Sequence, residues 1–265
     1  MASCDAYYRF TWVDIGHYGE YKLLAYSTYF VCFSCKVLII YTIIPGCVSD
    51  CSLWNNCDFG KMLEEGNVDL PPPKNLPGTN IATPHAFVGD EAFPLKSYTM
   101  RPYSRRQLED SERVFNYRLS RTRRVIENAF GILVMRRQVL LKTLCSSAEN
   151  VSSMVKALVC LHNFLMSDDG FASVYCPPNH VDHDNENHEQ VDGEWRRATG
   201  DGQFQDVPRL GANNARGGAV RQRDLLRDYF ISPEGEDQAP WQYARAFRGL
   251  VVDFEEVVEA DDESD

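Results

Sequence analysis

The chain contains no glycine-rich phosphate loop, no Gly-x-Ser-x-Gly elbow and no Cys/His nucleophile pairing. Nucleotide-cradling loops and the common serine and cysteine hydrolases therefore have no motif to rest on. Nine cysteines are present but irregularly spaced, and Cys32-x-x-Cys35 has no second pair at zinc-finger distance. A secreted disulfide framework and a structural zinc site are both disfavoured. No signal peptide opens the chain, so a reducing, intracellular compartment is expected. There is no internal repeat. Basic charge is in deficit: 27 Lys and Arg face 38 Asp and Glu, net −11 over 265 residues. That balance argues against a uniformly basic nucleic-acid binder.

What is present is an ordinary globular composition, 44% hydrophobic and 25% charged, in a chain long enough to bury a core without staples. The net charge hides an asymmetry. Residues 101–137 hold ten Arg (101, 105, 106, 113, 118, 121, 123, 124, 136, 137) against four acids. Residues 168–206 hold ten acids against Arg196 and Arg197, and 253–265 hold eight acids and no base. A basic middle followed by an acidic end suggests nucleic-acid contact with an acidic tail.

Alternation over 4–15 predicts a strand, and Ala86–Gly89 a short buried one. The spacing of Phe115, Leu119, Thr122, Ile126, Ala129 and Leu133 predicts a helix over 111–135 capped by Ser111. Val151, Met154, Val155, Leu158, Leu161 and Leu165 predict a second over 149–166, capped by Ser147. Short helices are expected within 49–66 and over 219–230. Four prolines make 71–78 a surface loop. Residues 23–44 carry a single charge, Lys36. Their length suits a membrane span; the plainer readings are a pair of core strands or an insertion foreign in composition, and 20–48 is expected to lie outside the native core. Residues 171–218 and 243–265 lack a sustained apolar period and are expected to be flexible.

Two carboxylates stand out. Asp90 follows the buried strand candidate, beside the cleft of an α/β sheet. Glu127 neighbours Ile126 at the apolar edge of its helix, with Gly131 leaving a bare spot one turn on. Hard oxygen ligands held this way suit Mg²⁺ or Mn²⁺. On spacing alone the plainer reading is favoured, a Glu127–Arg123 ion pair with Asp90 as a turn former. The Arg cluster offers forked phosphate contacts, or a solvated face with scattered ion pairs. His180, His183 and His188 are expected in a solvated loop, and His162 as a hydrogen-bonded histidine at the core edge.

Three separated motifs, GDEAFPLKSYTMRPY (89–103), ERVFNYRLSRTRRVIENAFGIL (112–133) and LVCLHNFL (158–165), resemble the catalytic domain of PIF/Harbinger transposases and Harbinger transposase-derived nucleases. The resemblance covers 1–19 and 49–166, and more weakly 219–242. It implies an α/β fold, an RNase H-like mixed sheet flanked by helices. The one Asp-x-x-His spacing, Asp14 to His17, falls in a segment that the resemblance places after the family's first acid, so the sheet is expected to lack its first strand. By resemblance Asp90 matches the second catalytic acid, Glu127 the third and Asp50 an auxiliary metal ligand. Arg118, Arg121 and Arg124 are candidate DNA phosphate contacts. Asp5 and Asp14 fall at sheet and turn positions.

The implied activity is divalent-metal-dependent cleavage of DNA phosphodiesters, incomplete without the first acid. A non-catalytic remnant that binds DNA or protein is the alternative. Expected partners are DNA and a separate DNA-binding protein, with no membrane; the expected compartment is the nucleus, with the cytoplasm as the alternative. The expected organisation is a partial endonuclease domain over 1–19 and 49–166, the insertion 20–48, a flexible acidic linker 167–218, a helical segment 219–242 and an acidic tail 243–265.

Overall fold

The computed structural model describes residues 1–15, 39–41, 54, 57–104, 107–142, 144–199 and 217–247. The fold is mixed α/β, about half helical with small sheets. Strands β1 (Ala2–Cys4) and β2 (Phe10–Val13) form an antiparallel pair, where the alternation predicted one continuous strand. The break is local chemistry. Asp5 Oδ1 accepts the N–H groups of Tyr7 (2.9 Å) and Arg9 (3.0 Å), and Tyr8 takes a left-handed φ of 64°. A short carboxylate bonding backbone two residues on closes a turn.

Strand β3 (Ile39–Tyr41) and helix α1 (Asp58–Glu64) follow. The proline-rich loop then holds a small ribbon, β4 (Lys74–Asn75) with β5 (Ala82–Thr83). Strands β6 (Phe87–Val88) and β7 (Thr99–Met100) complete a five-stranded sheet of order β2-β1-β3-β6-β7. The β2-β1-β3 part is antiparallel and β3-β6-β7 is parallel. Residues 39–41 thus enter the middle of the sheet, which corrects the expectation that all of 20–48 stays outside the core. The rest of 20–48, Cys32 and Cys35 included, lies outside the described residues. No described helix is long and apolar enough to cross a membrane.

Helix α2 (Asp110–Arg136) is the spine of the fold. Twenty-seven residues give it a length of about 40 Å. Its cap is Glu109, in a capping box with Glu112, rather than Ser111, which lies inside the helix. Its first half buries Val114, Phe115 and Leu119 with Val88, Met100 and the carboxyl-terminal helices. Its second half buries Ile126, Ala129 and Leu133 with β1, β2 and helix α3 (Ala148–Met166). Phe87, adjacent to Val88, packs on the opposite sheet face with Trp54, Phe93 and Leu63 of α1. Successive strand residues face opposite ways, so β6 carries α2 on one face and α1 on the other.

Helix α3 begins at Ser147, whose hydroxyl accepts from Asn150 N. Near its carboxyl end Asn163 both accepts from Phe10 N (2.8 Å) and donates to Phe10 O (2.7 Å). His162, fully buried, bonds Tyr8 O (2.8 Å) and the Tyr175 hydroxyl (3.1 Å). The core-edge histidine expected from the sequence is found there. Burial pushes its pKa down to about 4.

The flexible linker expected over 167–218 is folded as far as residue 199. Helix α4 (Asp169–Tyr175), hairpin β8 (His183–Asp184)/β9 (Gln190–Val191) and helix α5 (Glu194–Thr199) run along α2. Tyr175, Val181 and Trp195 are buried. Few apolar residues suffice because ion pairs supply much of the remaining attachment. Helices α6 (Gly217–Phe230), α7 (Pro233–Asp237) and α8 (Gln242–Ala246) close the described chain. Residues 248–265 lie outside the described residues.

Candidate functional site

Residues three and four apart share one helix face, so Arg118, Arg121, Arg124 and Asn128 form a ridge along α2, with Glu127 beside it. The segment 180–199 lies on this ridge. Asp184 on β8 pairs with Arg121, and with Arg124 at 3.2 Å. Arg121 also donates to the Tyr117 hydroxyl at 2.7 Å. Arg118 donates to Gln242 Oε1 and Gly235 O, both at 2.6 Å, and its guanidinium sits 4.5 Å from the Phe230 ring centroid. Burial lowers the pKa of both Arg118 and Arg124. The sequence offered these three as phosphate contacts; here each is held by the protein's own carboxylates, carbonyls or aromatic ring.

Below them sits Asp182, whose side chain is fully buried. Its Oδ1 accepts from Gly193 N (2.8 Å) and Arg196 Nε (2.9 Å), and its Oδ2 from Arg196 Nη2 (2.5 Å). The hydrogen bond to Asp182 raises the Arg196 pKa. The same Nη2 lies 3.4 Å from Glu127 Oε2, while Arg123 stands 3.8 Å from Glu127 Oε1. Glu127 is therefore an ion-pair member, as one of the two sequence readings had it, and Arg196 joins two carboxylates through one cationic nitrogen.

Asn128, buried, clamps the segment in place. Its amide donates to Asp182 O (3.2 Å), and its Oδ1 accepts from Asp182 N (3.0 Å) and Trp195 Nε1 (2.9 Å). Trp195 fills the space at Gly131, where a Cβ would come within 2.4 Å of the indole. The bare spot expected at Gly131 is thus occupied by an indole ring.

Asp90 does sit at the carboxyl end of β6, half-buried. Its Oδ1 accepts from Ala92 N at 2.8 Å, the turn-forming role open to it from sequence. Asp50, Arg105 and Arg106 lie outside the described residues. Among the described residues no three His, Cys, Asp or Glu gather to hold a metal. Of the loop histidines, His180 is buried and lies 3.3 Å from Glu194, and His188 stacks on Trp241 with centroids 3.7 Å apart. The solvated loop expected for them is packed at His180 and His188, while His183 is exposed as expected. Asn128, Asp182, Trp195 and Arg196 were not singled out by sequence. A tryptophan in an acidic segment, with a glycine in an otherwise well-formed helix, was the available signal.

A protein-family model described as DDE superfamily endonuclease matches residues 18–163. No curated protein matches the chain, and no solved structure does. The match ends within α3, so the segment lying on the arginine ridge falls beyond it.

Proposed function

The chain belongs to the DDE superfamily endonuclease family, and from that premise we propose that it is a transposase-derived nuclease domain of the Harbinger type. Its substrate is DNA and its compartment the nucleus. The observation that carries this reading is the family match over the residues that place Asp90 after β6 and Glu127 on α2. The mixed sheet, antiparallel towards one edge and parallel towards the other, supports the RNase H-like arrangement.

Nucleases of the DDE superfamily generally use divalent metal ions. The donors described here do not fit one. One oxygen of Asp90 is turned to a backbone N–H, and both oxygens of Glu127 face arginines. A cation already occupies the place beside Glu127, and it is Arg196. What this conformation offers DNA is a row of guanidiniums that match phosphate geometry, each engaged internally.

That engagement favours a second reading, a non-catalytic DNA- or protein-binding remnant. A plasmid-nicking assay with Mg²⁺ or Mn²⁺, run beside duplex binding, separates the two. Nicking that is lost in Asp90→Asn and in Glu127→Gln supports the nuclease. Duplex binding with no nicking selects the remnant. Failure to bind duplex DNA at low salt refutes DNA as the substrate.

A further inference from the structure

We infer that residues 182–196 are a self-occluding strap, which holds the arginine ridge of α2 closed and which DNA must displace. The inference rests on the proposed DNA substrate and adds a means of regulating access to it.

Four observations converge on it. First, Asp184 presents its carboxylate to Arg121 and Arg124 together, the forked anion geometry that a phosphate would take. Second, the closed state leaves donors unmet: Arg124 Nε and Nη1 are buried with no hydrogen-bond partner among the described residues. A buried guanidinium with idle donors is poorly satisfied, and an incoming phosphodiester would supply the acceptors. Third, Arg196 reaches from the strap to Glu127, so the strap covers the carboxylate as well as the arginines. Fourth, the strap is attached at separate points. Trp195 lies against Gly131, Asn128 clamps Asp182, and at the hairpin tip Arg245 pairs with Glu189 at 3.1 Å while His188 stacks on Trp241. The tip contacts bind it to α8, so release at the ridge need not unfold the body of the protein.

The salt dependence of binding follows from the exchange. When DNA displaces the strap, Arg121 and Arg124 trade Asp184 for phosphate. One internal carboxylate, held by both arginines, competes with the incoming phosphates and offsets about one of them. With Asp184 neutralised that competition is gone. The slope of log K against log salt should then steepen by about 1.

The test compares the full chain, Asp184→Asn and Glu189→Gln, with Asp69→Asn as a control that removes an exposed charge elsewhere. The probe is a short DNA duplex titrated across salt, with limited proteolysis between 177 and 199 as a measure of strap release. Melting temperatures verify folding, and Glu189→Gln, which loosens only the tip, serves if Asp184→Asn is poorly folded. The expected result is about tenfold tighter binding by Asp184→Asn at low salt, the steeper slope, and cleavage in the strap of the full chain once DNA is added. Affinity and slope equal to those of Asp69→Asn overturn the inference, as does a strap that stays protected while DNA is bound. If no variant binds DNA although Asp184→Asn exposes the strap, both the inference and the DNA substrate fall. Binding with a closed strap removes the inference alone.

Discussion

Replacing Asn128 with alanine tests how the strap is attached. The side chain is buried and makes three hydrogen bonds, to Asp182 O, Asp182 N and Trp195 Nε1. Truncation leaves those three groups unmet in a dry contact. Each unsatisfied buried group costs about 1–3 kcal/mol, so a docked strap would lose about 3–9 kcal/mol. The strap's own docking free energy caps that loss, because undocking returns the polar groups to water. Undocking would also expose Trp195, whose burial is worth about 2–3 kcal/mol, and would leave Asp182 and Arg196 in solvent together. The predicted outcome is a detached strap on an otherwise folded chain. Proteolysis at 180–199 should precede any loss of helical signal, and acrylamide should quench one more tryptophan than in the parent protein. Denaturant unfolding of the body should change by less than about 1 kcal/mol. A fully protected strap in Asn128→Ala would refute the reasoning, and so would collapse of the whole chain.

Further outcomes follow from the same contacts. Gly131→Ala raises the helix propensity of α2 by about 1 kcal/mol but sets a methyl 2.4 Å from the Trp195 ring; the strap should loosen while α2 holds, as read by proteolysis and helical circular dichroism. Asn163→Ala removes both bonds to Phe10 and should destabilise the chain by about 2–3 kcal/mol in a urea titration. His162 is held neutral in the folded state with a pKa of about 4, against an ordinary value near 6.5. The unfolded chain therefore binds the extra proton first as acid is added. Stability from this residue is complete above about pH 6.5 and falls by about 3 kcal/mol towards pH 4. A His162→Gln variant should lose that pH slope, which urea titrations at pH 4.5 and 7 would measure.

Long elements were legible from their periodicity. The apolar steps from Phe115 to Leu133 marked α2 to within a residue or two of its ends, and Ser147 capped α3 as read. Elements set by a single local contact were not. Asp5 turns the chain between β1 and β2, although alternation ran through it. The strap was the largest surprise, because composition predicts whether a segment can bury an apolar face, and this one is attached largely by paired charge. Asp182, Asp184 and Arg196 find their partners some 60 residues earlier on α2, a pairing no local pattern shows. Asp90 and Glu127 were found where their elements were expected, but the bare spot read at Gly131 is filled by a residue from beyond the family match.

Hydrogen exchange on the full chain with saturating duplex DNA tests the account most directly. It predicts slower exchange along α2 around Arg118 to Asn128 together with faster exchange over 182–196. Exchange unchanged in both segments with DNA bound, or protection that grows over the strap itself, would contradict it.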